Sequence, residues 1–198
     1  MENQQNTETT ETKLVETENA YLNIEIKAFD KEPLKIVEAK TYKYLIENSK
    51  KKTFLDALSY LCTDKHIDVK YDNFSFKYNK IYSKDFQSNS LFLSYPPCID
   101  ERLTPKQQLK VFSLLHAGYD LSEAAIMSYG LKDIENTKIK YLTQNQQKMV
   151  YLASTIACPS IIWFIDIRLV ENLSNEQKYY VNNAMSIRLK HGGAVVIY

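Results

Sequence analysis

The chain has 198 residues, and its 25 lysines and arginines nearly balance its 24 aspartates and glutamates, giving a net charge of +1. This length corresponds to about one domain, and the balanced charge excludes nucleic-acid binding driven by phosphate neutralisation. The three scattered cysteines exclude a disulfide framework and a CxxC zinc site, and they favour a reducing compartment. The longest strongly apolar run, Ile161 to Ile165, is far too short to cross a bilayer.

The first 20 residues have the composition of a disordered acidic tail. They carry five glutamates, one lysine and no aromatic residue, so they cannot bury enough apolar surface to offset the entropy lost on ordering. They also lack the features of a secretory signal and of a mitochondrial presequence. We therefore expect one folded domain over residues 21–198.

The first part of this domain is predicted to be mostly β-structure. From Tyr21 onwards apolar and polar residues alternate with a period of two, through Leu22, Ile24 and Ile26. The period becomes helical over about ten residues that begin near Phe54. Further strands are predicted at 34–37, 42–46, 66–71, 74–82 and 91–95, the last of them ended by Pro96 and Pro97.

Residues 100–158 are predicted to form a helical insert. Thr104 is a good N-cap, and Pro105 suits the first helical position because its missing N–H is not needed there. Gly118 is predicted to end this helix. A capping box of Asp120 with Glu123 is predicted to open a second helix, which Gly130 closes. A third helix is predicted from about Asn145 to Ala157.

The last third of the chain is predicted to be strand, helix and strand. The continuous apolar run of residues 161–165 is typical of a strand buried on both faces. Ser174 with Gln177 opens a helix that extends to about Lys190, and an apolar strand follows over residues 194–198. Two buried strands joined by a helix indicate a parallel sheet, so the predicted fold class is α/β.

Four segments are informative because of their order and spacing. They are YLTQNQQKMVYLA from Tyr141, IIWFID from Ile161, NLS from Asn172 and HGGAVV from His191, with a weaker fifth segment, LTPKQQL, from Leu103. Together they resemble an ABC-transporter nucleotide-binding domain, and most of all the ATP-binding subunit of the haem exporter of cytochrome c maturation (CcmA-type). The resemblance runs from about residue 21 to the C-terminus. It implies a P-loop fold with a mostly parallel core sheet, a small antiparallel β part and a helical insert.

The family's phosphate loop, GxxGxGK[ST]T, has no standard counterpart, because none of the chain's four glycines lies in the first 117 residues. Alignment with the family places Lys51 at the phosphate-binding lysine, and a slip of one residue makes Lys52 with Thr53 the lysine–threonine pair. A weakened phosphate site and an ordinary exposed helix start are both open interpretations. The resemblance implies a degenerate nucleotide-binding segment of Asn48, Ser49, Lys50, Lys51, Lys52 and Thr53.

The resemblance also assigns roles to residues at the later motifs. Asp166 stands where the family has its magnesium-orienting aspartate, but Ile167 replaces the glutamate that polarises the attacking water. Pro96 stands where the family has a glutamine, and the chain ends at Tyr198, where the switch histidine is expected to follow. The signature-like residues are Thr143, which is also a good N-cap, Asn145 and Gln146.

Two functions follow from this resemblance, and we expect no catalytic residue by the family mechanism. The first is an ATP-binding subunit of a haem-export transporter in cytochrome c biogenesis, with impaired or lost ATP hydrolysis. The second is a non-catalytic scaffold subunit of a membrane-associated complex, and an unrelated α/β domain is a third alternative.

The implied cofactors are ATP and Mg²⁺. The implied partners are an integral-membrane permease or other membrane-complex subunits and a second copy of the chain. The implied location is peripheral, on the matrix side of the mitochondrial inner membrane or in a bacterial cytoplasm.

Overall fold

A computed structural model of the chain describes residues 23–28, 34–37, 40–43, 70–71, 74–78 and 90–198. The strands in these ranges are β1 (Asn23–Ala28), β2 (Leu34–Val37), β3 (Thr41–Lys43), β4 (Lys70–Tyr71), β5 (Phe74–Tyr78), β6 (Ser90–Leu93), β7 (Ile162–Ile165) and β8 (Ala194–Ile197). The α-helices are α1 (Pro105–Ala117), α2 (Ser122–Ser128), α3 (Gln144–Leu152), α4 (Ser154–Ala157), α5 (Ile167–Val170) and α6 (Asn175–Lys190). The predicted tail of residues 1–20, the helix near Phe54 and the phosphate-loop segment lie outside the described residues.

One sheet is parallel and has the strand order β3–β8–β7–β6. Its registers pair Thr41 with Val195, Ile162 with Ala194, and Ser90 with Ile162. All four residues of β7 are buried, as the continuous apolar run predicts. The parallel sheet predicted from the strand–helix–strand pattern is therefore confirmed.

The other sheet is antiparallel, with the strand order β2–β1–β5–β4. Strand β1 lies between β2 and β5, and it pairs Ile24 with Ile36 and Ile26 with Phe76. The predicted pairing of the two strands that follow residue 66 is present where the structure describes them, because Tyr71 of β4 faces Phe74 of β5. The described residues thus combine a four-stranded parallel sheet with a four-stranded antiparallel sheet.

One apolar core joins the parallel sheet to the helices. Helices α1, α2 and α4 pack against one another, and Leu109 of α1 and Ile126 of α2 are fully buried members of this core. Trp163 of β7 is also buried, and its Nε1 donates to the Ser160 carbonyl at 3.1 Å, so its single polar group is satisfied. Residues of the helical insert and of the parallel sheet thus share one apolar core.

Three helices begin with the same capping box, in which a Ser or Thr hydroxyl accepts from the backbone N–H of a glutamine three residues on. The glutamine side chain in turn accepts from the backbone N–H of the cap residue. The pairs are Thr104 with Gln107 in α1, Thr143 with Gln146 in α3, and Ser174 with Gln177 in α6. The predicted N-caps at Thr104, Thr143 and Ser174 are therefore confirmed.

The predicted capping box of Asp120 with Glu123 is wrong. Helix α2 begins at Ser122, and its N-cap residue, Leu121, makes no side-chain hydrogen bond to the helix. The Asp120 carboxylate, one residue earlier, accepts from the Ser122 N–H at 2.9 Å and pairs with Lys110 at 3.5 Å. Glu123 pairs with Lys132 at 2.9 Å, so Asp120 and Glu123 form no reciprocal box.

Two further boundaries differ from the predictions. The predicted third helix is two helices, α3 and α4, separated at Ala153, and the predicted strand over residues 91–95 ends at Leu93. Within the described ranges, no helix combines the length and the apolar character needed to cross a bilayer.

Candidate functional site

The candidate site lies at the carboxyl edge of the parallel sheet, where ligands of open α/β sheets bind. Asp166 directly follows β7, and its N–H donates to the Leu93 carbonyl at the end of β6 at 2.8 Å. The N–H of Ile167 donates to the Tyr198 carbonyl, which follows β8, at 2.8 Å. These bonds fix Asp166 and Ile167 against both neighbouring strands.

The Asp166 carboxylate is bound from two sides by Arg168. Its Oδ1 accepts from the Arg168 backbone N–H at 2.9 Å and from Nε at 3.0 Å, and its Oδ2 accepts from Nη2 at 2.6 Å. The Asp166 side chain is 1% exposed and that of Arg168 is 36% exposed. The hydrogen bonds to this carboxylate raise the pKa of the Arg168 guanidinium. Asp166 is also the N-cap of the one-turn helix α5.

The same local arrangement occurs a second time, at the surface. Asp100 Oδ1 accepts from the Arg102 N–H at 2.9 Å and from Nε at 3.0 Å, and Oδ2 accepts from Nη2 at 2.8 Å. The Arg102 side chain is 87% exposed, and its hydrogen bonds lower the pKa of Asp100 to about 2. An aspartate two residues before an arginine thus forms this pair in both places, and the pair at Asp166 differs by its burial.

Tyr95 connects the site to the loop that follows β6. The guanidinium of Arg168 lies 5.0 Å from the centre of its ring, and Nζ of Lys148 lies 5.7 Å from it. The Tyr95 hydroxyl accepts from Gln144 Nε2 at 3.2 Å. A single aromatic side chain therefore contacts α3 and the turn after β7 at once.

The signature-like residues support the start of α3. Thr143 and Gln146 form its capping box, and Asn145 Nδ2 donates to the Asn172 carbonyl at 2.9 Å. Lys148, on the same helix, is 6% exposed and donates to the Glu171 carbonyl at 3.3 Å. The structure thus places the start of α3 beside the segment that begins at Asn172.

The structure brings together some of the predicted site residues. Asp166 lies at the sheet edge as predicted, while Asn48 to Thr53 lie outside the described residues, so their role stays a prediction. Sequence reasoning missed the pairing of Arg168 with Asp166 and the contacts of Tyr95, although the Asp-x-Arg spacing was visible. In the part of the chain that the structure describes, no three or more His, Cys, Asp or Glu side chains form a group that could hold a metal ion.

The sequence of the chain was compared with those of known proteins. No protein-family model matches the chain. It is 30% identical over 123 residues to the cytochrome c biogenesis ATP-binding export protein CcmA of Rickettsia bellii, which covers 59% of this chain and 62% of that protein. It is 29% identical over 123 residues to the protein of the same name from Rickettsia conorii, covering 59% of this chain and 64% of that protein. The chain therefore spans less than two thirds of the length of these curated relatives.

A solved structure shows the same fold. An ABC transporter ATP-binding protein from Pyrococcus furiosus superimposes with a TM-score of 0.64 at 21% identity, covering 89% of this chain and 90% of that one. The fold is that of an ABC-type ATP-binding domain, so the predicted fold class and the predicted resemblance to ABC ATP-binding subunits are confirmed. An unrelated α/β domain is excluded.

Proposed function

We propose that this chain, with its ABC-type ATP-binding fold, is a subunit of a membrane transport assembly in cytochrome c biogenesis and does not itself hydrolyse ATP. The similarity to proteins named cytochrome c biogenesis ATP-binding export protein supports the assembly and the process. The observation that supports the loss of hydrolysis is the buried pair of Asp166 and Arg168. In this pair the Asp166 carboxylate is hydrogen-bonded to Arg168 of the same chain.

Asp166 does not fit a magnesium ligand in this arrangement. A carboxylate holds Mg²⁺, or a water of its hydration shell, through an oxygen whose lone pairs are available. Three of the roughly four lone-pair positions of the Asp166 carboxylate accept hydrogen bonds from Arg168 at 2.6–3.0 Å, and a guanidinium at that place repels a cation. Asp166 is therefore not proposed as a magnesium ligand.

Ile167 supports the same proposal because it stands where the related enzymes need a proton acceptor. Its aliphatic side chain can neither accept a proton nor orient a water, and a general base contributes roughly 10²–10⁴-fold to a rate. Its backbone N–H is bound to the Tyr198 carbonyl, which fixes the residue at the sheet edge. Asp166 with Ile167 therefore keeps the position of the catalytic pair without its chemistry.

We propose a structural role for the signature-like residues as well. Thr143 and Gln146 cap α3, and the Asn145 amide binds the Asn172 carbonyl. Each of these side chains is thus engaged within the fold. Nucleotide contact, where it occurs, is assigned to the lysines at positions 50–52, which attract phosphate through charge.

The partners and the location belong to the same proposal. An integral-membrane permease or other membrane-complex subunits would bind this chain, and a second copy would form a homodimer. The location is peripheral to a membrane, on the mitochondrial matrix side or in a bacterial cytoplasm.

A scaffold that binds no nucleotide is the second candidate, favoured by the absence of glycine from the first 117 residues. A thermal shift with ATP that Lys51→Ala abolishes distinguishes the first candidate from the second.

Steady-state ATP hydrolysis by the purified chain tests the proposal. We expect no turnover above a protein-free control, and no change on Asp166→Asn, because Ile167 supplies no base. The matched variant Asp100→Asn alters the surface pair of the same geometry and controls for the loss of a carboxylate. Turnover on the order of 1 s⁻¹, a normal rate for an enzyme, that Asp166→Asn abolishes and Asp100→Asn preserves would overturn the proposal.

A further inference from the structure

The first turn of α3 is held by polar contacts rather than by apolar burial. It consists of four consecutive residues with amide side chains, none of them buried, which are Gln144, Asn145, Gln146 and Gln147. Gln146 completes the capping box, and the Gln147 amide donates to two carbonyls just before the helix. A segment with few buried apolar contacts opens locally at a low cost in free energy. The contacts that hold this turn therefore decide how often it opens.

Among the described residues, three side-chain hydrogen bonds connect this part of α3 to distant parts of the chain. Gln144 Nε2 donates to the Tyr95 hydroxyl at 3.2 Å. The Asn145 amide and the Lys148 ammonium donate to backbone carbonyls just after α5, at 2.9 and 3.3 Å. Tyr95 supports two of these three residues, because its ring also lies near Lys148.

The Tyr95 ring lies close to two cations. The Arg168 guanidinium is 5.0 Å from the ring centre and Lys148 Nζ is 5.7 Å from it, both within the range of cation–π attraction. This attraction is stronger where the cation has lost water, and Lys148 is only 6% exposed. Tyr95 is itself partly buried against the apolar core. Its ring therefore joins α3 to the turn after β7 from a fixed position.

We propose that Tyr95 controls the local opening of the first turn of α3. Its ring holds Lys148, and with it the turn, against the loop that follows β6. Without the ring the turn opens more often, while the apolar core below it stays closed. The signature-like residues lie in this turn or at its cap, so Tyr95 sets how freely they move. The proposal holds whether or not the chain binds a nucleotide.

Native-state hydrogen exchange of the purified chain measures this opening at single amides. The informative amide is that of Gln147, which donates to the Thr143 carbonyl at 2.9 Å. Tyr95→Leu should raise its exchange rate about five- to thirtyfold, because it removes both cation–π contacts. Tyr95→Phe keeps the ring and removes only the bond to the exposed Gln144 side chain, so it should raise the rate at most about threefold.

Two controls separate local opening from a general loss of stability. The Lys178 amide donates to the Ser174 carbonyl at 2.9 Å in the first turn of α6, which begins with the same capping box. Its exchange rate should change less than about twofold in every variant. Tyr141→Leu is the matched variant, because Tyr141 precedes α3, is 70% exposed and has Lys140 Nζ 4.8 Å from its ring centre. Its cation–π contact reaches only the neighbouring residue, so exchange at Gln147 should change less than about twofold.

Four results would overturn the proposal. They are unchanged exchange at Gln147 in Tyr95→Leu, an equal rise at Gln147 and Lys178, an effect of Tyr95→Phe as large as that of Tyr95→Leu, and an equally large effect of Tyr141→Leu. An equal rise at the two amides would mean that Tyr95 stabilises the whole fold and does not control this turn.

Discussion

Arg168→Ala is expected to lower the free energy of unfolding by about 3 kcal/mol, because it removes the bidentate partner of a buried charge. Asp166 is 1% exposed, and the substitution removes the guanidinium that compensates its buried charge. Arg168 itself is 36% exposed, so solvent screening places the loss at the lower end of the range for buried pairs. Urea denaturation at neutral pH measures the change.

Arg102→Ala is the control for this prediction. It removes the same hydrogen bonds from Asp100, but the pair lies in solvent, so the free energy of unfolding should stay nearly unchanged. Similar losses for the two variants would mean that burial of the Asp166 pair does not decide its contribution.

Gly130→Ala is expected to lower the free energy of unfolding by about 3 kcal/mol, since the new methyl group meets two obstacles. The residue has a φ of +63°, in the left-handed region that a Cβ disfavours. An added Cβ would also lie 2.5 Å from two ring carbons of Tyr180, so the ring or the helix end must move. Urea denaturation measures this variant too.

Gly118→Ala separates the two obstacles. Gly118 has a similar φ of +76°, but no heavy atom of the described chain lies within 4 Å of its added Cβ. Only the backbone strain of about 1 kcal/mol applies to this variant. An equal effect of the two substitutions would show that Tyr180 gives way without a penalty.

The parts of the fold that local chemistry decides could be predicted from the sequence. The apolar run of β7 predicts a strand buried on both faces, because only such a strand needs no polar alternation. The boxes that begin at Thr104, Thr143 and Ser174 could be recognised because each cap and its glutamine are three residues apart.

Side chains that meet from distant segments could not be predicted. The Asp120–Glu123 box failed because helix α2 begins one residue later than that box requires and because Glu123 pairs with Lys132 of another element. Tyr95 contacts Arg168 and Lys148 only after the loop that follows β6 meets α3. Such contacts depend on tertiary packing, and no regular spacing of residues in the sequence indicates them.

At the carboxyl edge of the parallel sheet, where the family resemblance predicts a nucleotide site, the residues bind one another. Asp166 pairs with Arg168, and Asn145 binds the Asn172 carbonyl. We infer that the site contributes to the stability of the subunit in place of a catalytic role. This inference predicts that substitutions there change stability more than they change any activity.

Calorimetric titration of the purified chain with ATP, with and without Mg²⁺, tests whether Asp166 serves the Arg168 pair and not a metal ion. We predict that Mg²⁺ changes the heat and the affinity of ATP binding by less than about twofold, and a chain that binds no ATP in either buffer agrees with the scaffold candidate. A tightening by Mg²⁺ of about tenfold or more that Asp166→Asn removes would contradict the account.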